Sequence, residues 1–394
     1  MANGGRKAMA VYEIGILGDV SDADRLALSG TIGRLLRDFR LTVGSEVAVH
    51  DGASVRGRDR HAAFVCAYFG GKDRRDLDVA REAVRASAPV IPTVGPDGDF
   101  GTQIPDFLQA ANGLRRRADD RDLTELGVAM LECVGLLRRQ RRVFVSYRRV
   151  ESRAAALQLH DLMTERGFDV FLDTHDIRPG DPFQDVLWHR LCDSDVMVML
   201  DTPTYFESKW TRQEIGRARA KELHVLRVVW PEHKPNKLTD MAETIYLDGS
   251  HLAGPDGPIA DGIANGIVLA VERLRSRSVA SRHMSITGRL RAEVEKIGGK
   301  VEGIGAHRAV SLRLLDGQRV WAFPVVGVPT AEVLNDVAEK ARRADQRETP
   351  ALVYDHLGIR EAWSAHLKWL DENISTVRAI KISEAGWALA AWEA

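Results

Sequence analysis

Val143-Phe144-Val145-Ser146-Tyr147-Arg148-Arg149 and Gly167-Phe168-Asp169-Val170-Phe171-Leu172-Asp173 are the stretches on which the fold turns. Each is a short apolar run that stops on polar side chains, the pattern of a strand buried on both faces. Runs of the same kind follow at 196–200, 224–229 and 244–247, and helical patterns over 153–166, 183–191 and 210–223 fill the intervals. Strands and helices in alternation dictate a parallel sheet covered by helices. In such a sheet ligands collect outside the carboxyl ends of the strands. The polar residues placed there are Ser146, Tyr147, Arg148 and Arg149 after the first strand, Asp173 after the second and Asp201 after the third. A loop, Ile177-Arg178-Pro179-Gly180-Asp181-Pro182-Phe183, and a helix start, Ser208-Lys209-Trp210-Thr211-Arg212-Gln213-Glu214, complete the set.

Outward from this block, the basic run Arg138-Arg139-Gln140-Arg141-Arg142 reads as a solvated linker. Residues 1–137 predict an α/β domain, with strands at 12–17, 62–69 and 88–94 and helices at 22–39 and 74–86. Gly15 and Gly18 give its first strand a glycine-bearing end that could approach a nucleotide. The full dinucleotide fingerprint is missing, and the unit carries no assigned function. The middle unit spans 138–279 and closes on a helix over 259–276. Residues 284–394 predict an α+β domain, a sensor or an oligomerisation module. It starts with a helix at 287–297 and a hairpin whose arms, 309–315 and 319–325, meet through Asp316-Gly317. Helix 331–343, strand 351–354, helix 360–373, strand 377–382 and a helix from Glu384 follow. Trp363, Trp369, Trp387 and Trp392 crowd this end as core or interface anchors.

The middle unit resembles the Toll/interleukin-1 receptor (TIR) domain, over roughly 141–274. Residues 143–149 are similar to the family's first-strand box, 167–173 to its second strand and 177–183 to its BB loop. Trp210-x-x-x-Glu214 is similar to the helix that bears the catalytic glutamate of TIR domains that cleave NAD⁺. The resemblance implies a flavodoxin-like five-stranded parallel sheet flanked by the two other domains. It implies a bacterial protein of the antiphage-defence type, an NAD⁺ nucleosidase that releases nicotinamide and leaves ADP-ribose or a cyclic variant. NAD⁺ is then a substrate and no cofactor is needed. The alternative is a non-enzymatic scaffold that works by self-association.

Nicotinamide in NAD⁺ is a cationic pyridinium and already a good leaving group, so cleavage mainly needs stabilisation of positive charge developing on the ribose. Glu214 is the candidate catalytic group. Trp210, four residues earlier on the same helix face, is placed to shape the nicotinamide-ribose pocket. Arg148 and Arg149 suit the pyrophosphate, Phe183 suits stacking on a ligand ring, and Ser146 and Asp173 lie among the substrate-binding candidates. By resemblance the site is completed by the BB loop of a neighbouring TIR domain, so activity depends on assembly, with a small-molecule or protein trigger acting at a flank. Plainer readings stand beside these. Thr211-x-x-Glu214 fits a capping box, Asp181-Pro182 fits a helix start, and Asp201 suits the satisfaction of loop amides.

The 394 residues suffice for two or three domains. A net charge of −1 argues against a bulk nucleic-acid binder. The chain has no apolar run of membrane-span length and no signal-peptide pattern. Cys66, Cys133 and Cys192 are far apart, which disfavours a disulfide framework and a metal knuckle and fits a reduced cytoplasmic protein. P-loop, nucleophile-elbow and His-Glu-x-x-His motifs are absent.

Overall fold

The computed structural model describes residues 10–136, 141–172, 183–207, 209–344, 346 and 348–392, with the backbone alone described at 183–185, 209 and 210. Three five-stranded sheets follow one another along the chain. The first is built from β1 (Tyr12–Gly18), β2 (Val47–Asp51), β3 (Ala63–Phe69), β4 (Val90–Val94) and β5 (Leu114–Arg115), all parallel, in the order β2-β1-β3-β4-β5. Helices α1 (Asp22–Leu36), α2 (Leu77–Arg85), α3 (Phe100–Gln103) and α4 (Thr124–Cys133) accompany it. β1 and β3 are buried along their whole length, which is why they read as unbroken apolar runs. β2 lies at the sheet edge, is only partly buried and ends on His50 and Asp51, so its pattern was not legible as a strand. The glycines of β1 have a packing reason. A Cβ on Gly15 would lie 2.4 Å from Cys66 Sγ, and Gly18, at φ +84°, would meet the Phe69 carbonyl at 2.2 Å.

The second sheet comprises β6 (Arg142–Ser146), β7 (Asp169–Leu172), β8 (Val196–Asp201), β9 (His224–Val229) and β10 (Glu243–Tyr246), in the order β10-β9-β8-β6-β7. All its pairings are parallel. Helices α5 (Arg149–Thr164), α6 (Phe183–Asp193) and α7 (Lys209–Ala220) lie between its strands. Numbered from its own first strand, this order is 2-1-3-4-5, the flavodoxin-like arrangement, and the first sheet has the same order. Val143, Val145, Val196, Val198, Leu226 and Val228 fill one face of the second core, and Phe144, Phe171, Met197 and Met199 fill the other.

Helix α8 (Asp261–Lys296) runs unbroken for 36 residues. The sequence reading places two helices here, the first ending at Ser276 and the second starting at Thr287. Ser276 is instead a contact inside one helix. Ser276 Oγ donates to the Val11 carbonyl at 2.6 Å and accepts from the Ala63 amide at 3.0 Å, which fastens α8 to the first sheet. The third sheet follows: β11 (Lys300–Ile304), β12 (Val310–Arg313), β13 (Arg319–Val325), β14 (Ala351–Tyr354) and β15 (Arg378–Lys381), paired in chain order. The first three strands are antiparallel, and the last two join in parallel through α9 (Ala331–Arg343) and α10 (Glu361–Asn373), with α11 (Ala385–Ala390) closing the unit. The expected hairpin is β12–β13, turned at Gly317 with φ +89°. Trp369 and Trp387 are exposed, whereas Trp392 lies in the third core.

The expectation of a solvated junction fails at Arg141, which is fully buried. Its guanidinium makes two hydrogen bonds to Glu272 of α8, at 2.9 and 2.7 Å, and lies over the rings of Phe168 and Phe39. Arg275, also fully buried, donates to Asp195 at 3.0 Å, to the Tyr12 hydroxyl at 2.7 Å and to the Gly135 carbonyl, and Tyr12 donates to Glu272. Two cations and two anions thus join both parallel sheets and α8 without leaving a net buried charge. Burial pushes the Glu272 carboxyl up, but Arg141 and Arg275 outweigh it and hold the group below the usual carboxylate range. Residues 137–140 lie outside the described residues.

Candidate active site

The carboxyl end of the second sheet gathers polar groups from β6, β8 and the elements that follow them. Glu214, in α7, is fully buried. Its carboxylate accepts a hydrogen bond from Ser146 Oγ, the last residue of β6, at 2.6 Å. Ser146 Oγ lies 2.6 Å from the hydroxyl of Tyr205, itself fully buried. A serine hydroxyl carries one proton, and Ser146 gives it to Glu214, so Tyr205 donates to Ser146. The result is a directed chain, Tyr205 to Ser146 to Glu214, at the sheet's carboxyl edge.

The capping-box reading does not describe this geometry. α7 begins at Lys209, so Thr211 lies inside the first turn, and its hydroxyl donates to the Tyr205 carbonyl at 3.0 Å. Glu214 reaches instead across the sheet edge to Ser146. Trp210 stands one turn before Glu214 on α7, and Phe183 is the first residue of α6. The side chains of both, and Asp173 with the rest of 173–182, lie outside the described residues.

The arginine pair stands at the start of α5. Arg148 donates to the Thr204 carbonyl and forms an ion pair with Glu207 at 3.4 Å. The Thr204 amide in turn donates to Glu151 at 3.3 Å. Arg148 and Glu151 therefore clamp the segment after β8 from the start of α5. Arg149, the first residue of α5, is exposed. At the end of β8, Asp201 is fully buried, with Oδ1 3.1 Å from His233 Nε2. Burial raises its carboxyl above the usual range, and His233 opposes that shift. Asp201 Oδ2 and Thr202 Oγ1 have no hydrogen-bond partner among the described residues. A cavity of about 540 Å³ opens at this same end between Glu151, Pro203, Trp230 and Pro255, and Glu214 is not part of its lining. Among the described residues no cluster of His, Cys, Asp or Glu is arranged to hold a metal ion, and no helix is long and apolar enough to cross a membrane.

Tyr205 and His233 were missed by the sequence reading. Tyr205 sits in the stretch after β8, where its aromatic ring signals packing and nothing in the spacing announces its hydroxyl. His233 is remote from Asp201 along the chain. Residues 143–257 match the family model described as the TIR domain. Residues 143–257 are a TIR domain. The match agrees with the parallel 2-1-3-4-5 sheet and covers the segment that carries Ser146, Tyr205 and Glu214. No curated protein matches the chain.

Proposed function

We propose that this TIR domain is an NAD⁺ nucleosidase and that Glu214 is its catalytic carboxylate. The observation that carries the reading is the placement of Glu214 at the carboxyl edge of the sheet, oriented by Ser146. In the reaction the bond between ribose C1′ and the nicotinamide nitrogen breaks, and its electron pair leaves with neutral nicotinamide. The ribose carries the positive charge, which the carboxylate stabilises and which is worth orders of magnitude in rate. Water then adds at C1′ and releases a proton to give ADP-ribose, or a ring nitrogen of the adenine adds to give a cyclic product. Arg148 and Arg149, at the start of α5, are the arginines proposed to reach the pyrophosphate. Trp210 and Phe183 are proposed to frame the nicotinamide and adenine ends, with Asp173 beside the ribose.

Glu214 is closed to solvent in the single chain. This supports activation by assembly, in which a neighbouring TIR domain opens and completes the site, and it suits a cytoplasmic effector of bacterial antiphage defence held inactive by its flanking units. The same closure favours a second reading, a scaffold that only self-associates. Nicotinamide release by the full chain over a series of protein concentrations separates the two. The expected result is release that rises more steeply than protein concentration and falls about 100-fold or more in Glu214→Gln. No release by the assembled wild type establishes the scaffold, and full activity in Glu214→Gln removes the assigned role of Glu214 while keeping the enzyme.

A further inference from the structure

Away from the TIR site, a cavity of about 570 Å³ lies where the first sheet, α8 and the third sheet meet. Its size is that of a small-molecule site, and junctions between units are where such sites are commonly found. Five guanidinium groups line it, Arg56, Arg58, Arg60, Arg85 and Arg308, against one carboxylate, Glu82. Arg56 already holds Glu82. The other four arginines make no ion pair among the described residues. Arg58 lies over the Phe64 ring, 4.1 Å from its centroid, and donates to the Val55 carbonyl at 3.1 Å. Arg60 and Arg85 are exposed side chains at the cavity mouth.

Arg308 is the most telling. It sits at φ +55°, directly after His307 at φ +58°. Two successive side-chain-bearing residues in the left-handed region are strained, and such strain persists only where the surroundings impose it. Here the surroundings are α4: Glu132 holds the His307 ring at 2.5 Å, and the Cys133 carbonyl takes the Arg308 Nε proton at 2.5 Å. Burial lowers the Arg308 guanidinium to about 10, which still leaves it charged at neutral pH. His283 of α8 also lines the cavity, and burial, followed by the charges of Arg308 and Arg282, holds its imidazole well below the usual range, so it is neutral. The cavity therefore gathers several like charges with one neutralised carboxylate, a repulsive arrangement that a bound anion relieves. Its remaining walls are apolar, with Phe64, Pro89, Met284 and Ile304.

We infer that this cavity is a binding site for a phosphate-bearing small molecule with an apolar or aromatic body, a nucleotide being the plainest member of that class. Arginine forks suit phosphate oxygens, and the apolar wall suits a base or other ring. The site is distinct from the TIR carboxylate and does not rest on the NAD⁺ reading. It lies at the amino ends of β3 and β4, opposite the end where a parallel sheet usually binds ligands, because α8 and the third sheet supply its other walls.

The test is titration of the full chain with ATP, inorganic pyrophosphate and adenosine, by calorimetry, for the wild type and two variants. Arg60→Glu/Arg85→Glu reverses two exposed charges, and Met284→Trp fills the cavity from an exposed side chain without changing its charge. The wild type is expected to bind ATP saturably with Kd below about 1 mM. Pyrophosphate is expected to bind more weakly and adenosine not at all. The charge-reversal variant should weaken ATP and pyrophosphate by about 10-fold or more. Met284→Trp should weaken ATP more than pyrophosphate. The inference is overturned if neither ATP nor pyrophosphate binds the wild type at millimolar concentration. It is also overturned if the charge-reversal variant, with an unchanged thermal midpoint, binds both as the wild type does.

Discussion

In the proposed reaction Ser146 acts through Glu214. A buried carboxylate is costly unless hydrogen bonds replace the water it has lost, and Ser146 supplies one at 2.6 Å while Tyr205 fixes the direction of the serine proton. Loss of a hydrogen bond to a charged group is worth about 1.5–3 kcal/mol. Ser146→Ala is therefore expected to slow nicotinamide release by about 10-fold or more. Tyr205→Phe should have a smaller effect, because Ser146 keeps its own bond to Glu214. Equal rates for wild type and Ser146→Ala in the nicotinamide assay would remove Ser146 from the positioning of Glu214.

Among the elements, strands buried on both faces were legible, and of the edge strands β7, β10 and β15 were legible while β2, β5 and β11 were not. β1, β3, β6 and β8 read as strands because burial on both faces leaves no polar alternation to obscure them. β5, two residues long, and β11, interrupted by a register shift between Val301 and Gly303, left too little pattern to find. The candidate site was legible where motif spacing carried it, at Ser146 and Glu214. It was not legible at Tyr205 or His233, whose roles exist only once β6, β8 and the segments after β8 come together. α8 was divided at Ser276, whose hydroxyl meets the Val11 carbonyl and the Ala63 amide, contacts distant along the chain that no local pattern announces. A helix that continues through a serine-rich stretch depends on its backbone bonds there. Ser281→Pro, at an exposed position of α8, is expected to cost about 3 kcal/mol or more and to lower both helical ellipticity and the thermal midpoint. A flexible joint at this point would tolerate the proline, and an unchanged midpoint would contradict a continuous α8.

For the whole molecule, the Arg141–Glu272–Arg275–Asp195 network is the deepest charged contact shared by the two parallel sheets and α8. Replacing one partner of a buried pair leaves an uncompensated charge and typically costs about 3–5 kcal/mol. Glu272→Gln is thus expected to be markedly less stable at pH 7. Glu272 holds its proton more weakly folded than unfolded, so its contribution is complete above the unfolded value of about 4.3. It is lost as pH falls through the lower folded value. Denaturant midpoints of wild type and Glu272→Gln should differ at neutral pH and converge in acid. A gap that stays constant down to the acid transition would show that the Glu272 charge contributes nothing.

α8 also ties two cores together. Its first turns are rooted in the TIR core through Ala264, Ile267, Val268 and Val271, and its last turns in the third core through Ile286, Leu290 and Val294. Thirty-six residues make a rod about 54 Å long. A tilt of about 5° at one root swings the other by about 5 Å, roughly the rise of one helical turn. Packed cores do not deform smoothly over such a distance; they hold one arrangement or jump to another. A rod with each end in a different core, and with the arginine-lined cavity along its side, makes the TIR core, the third core and the cavity share one rigid element.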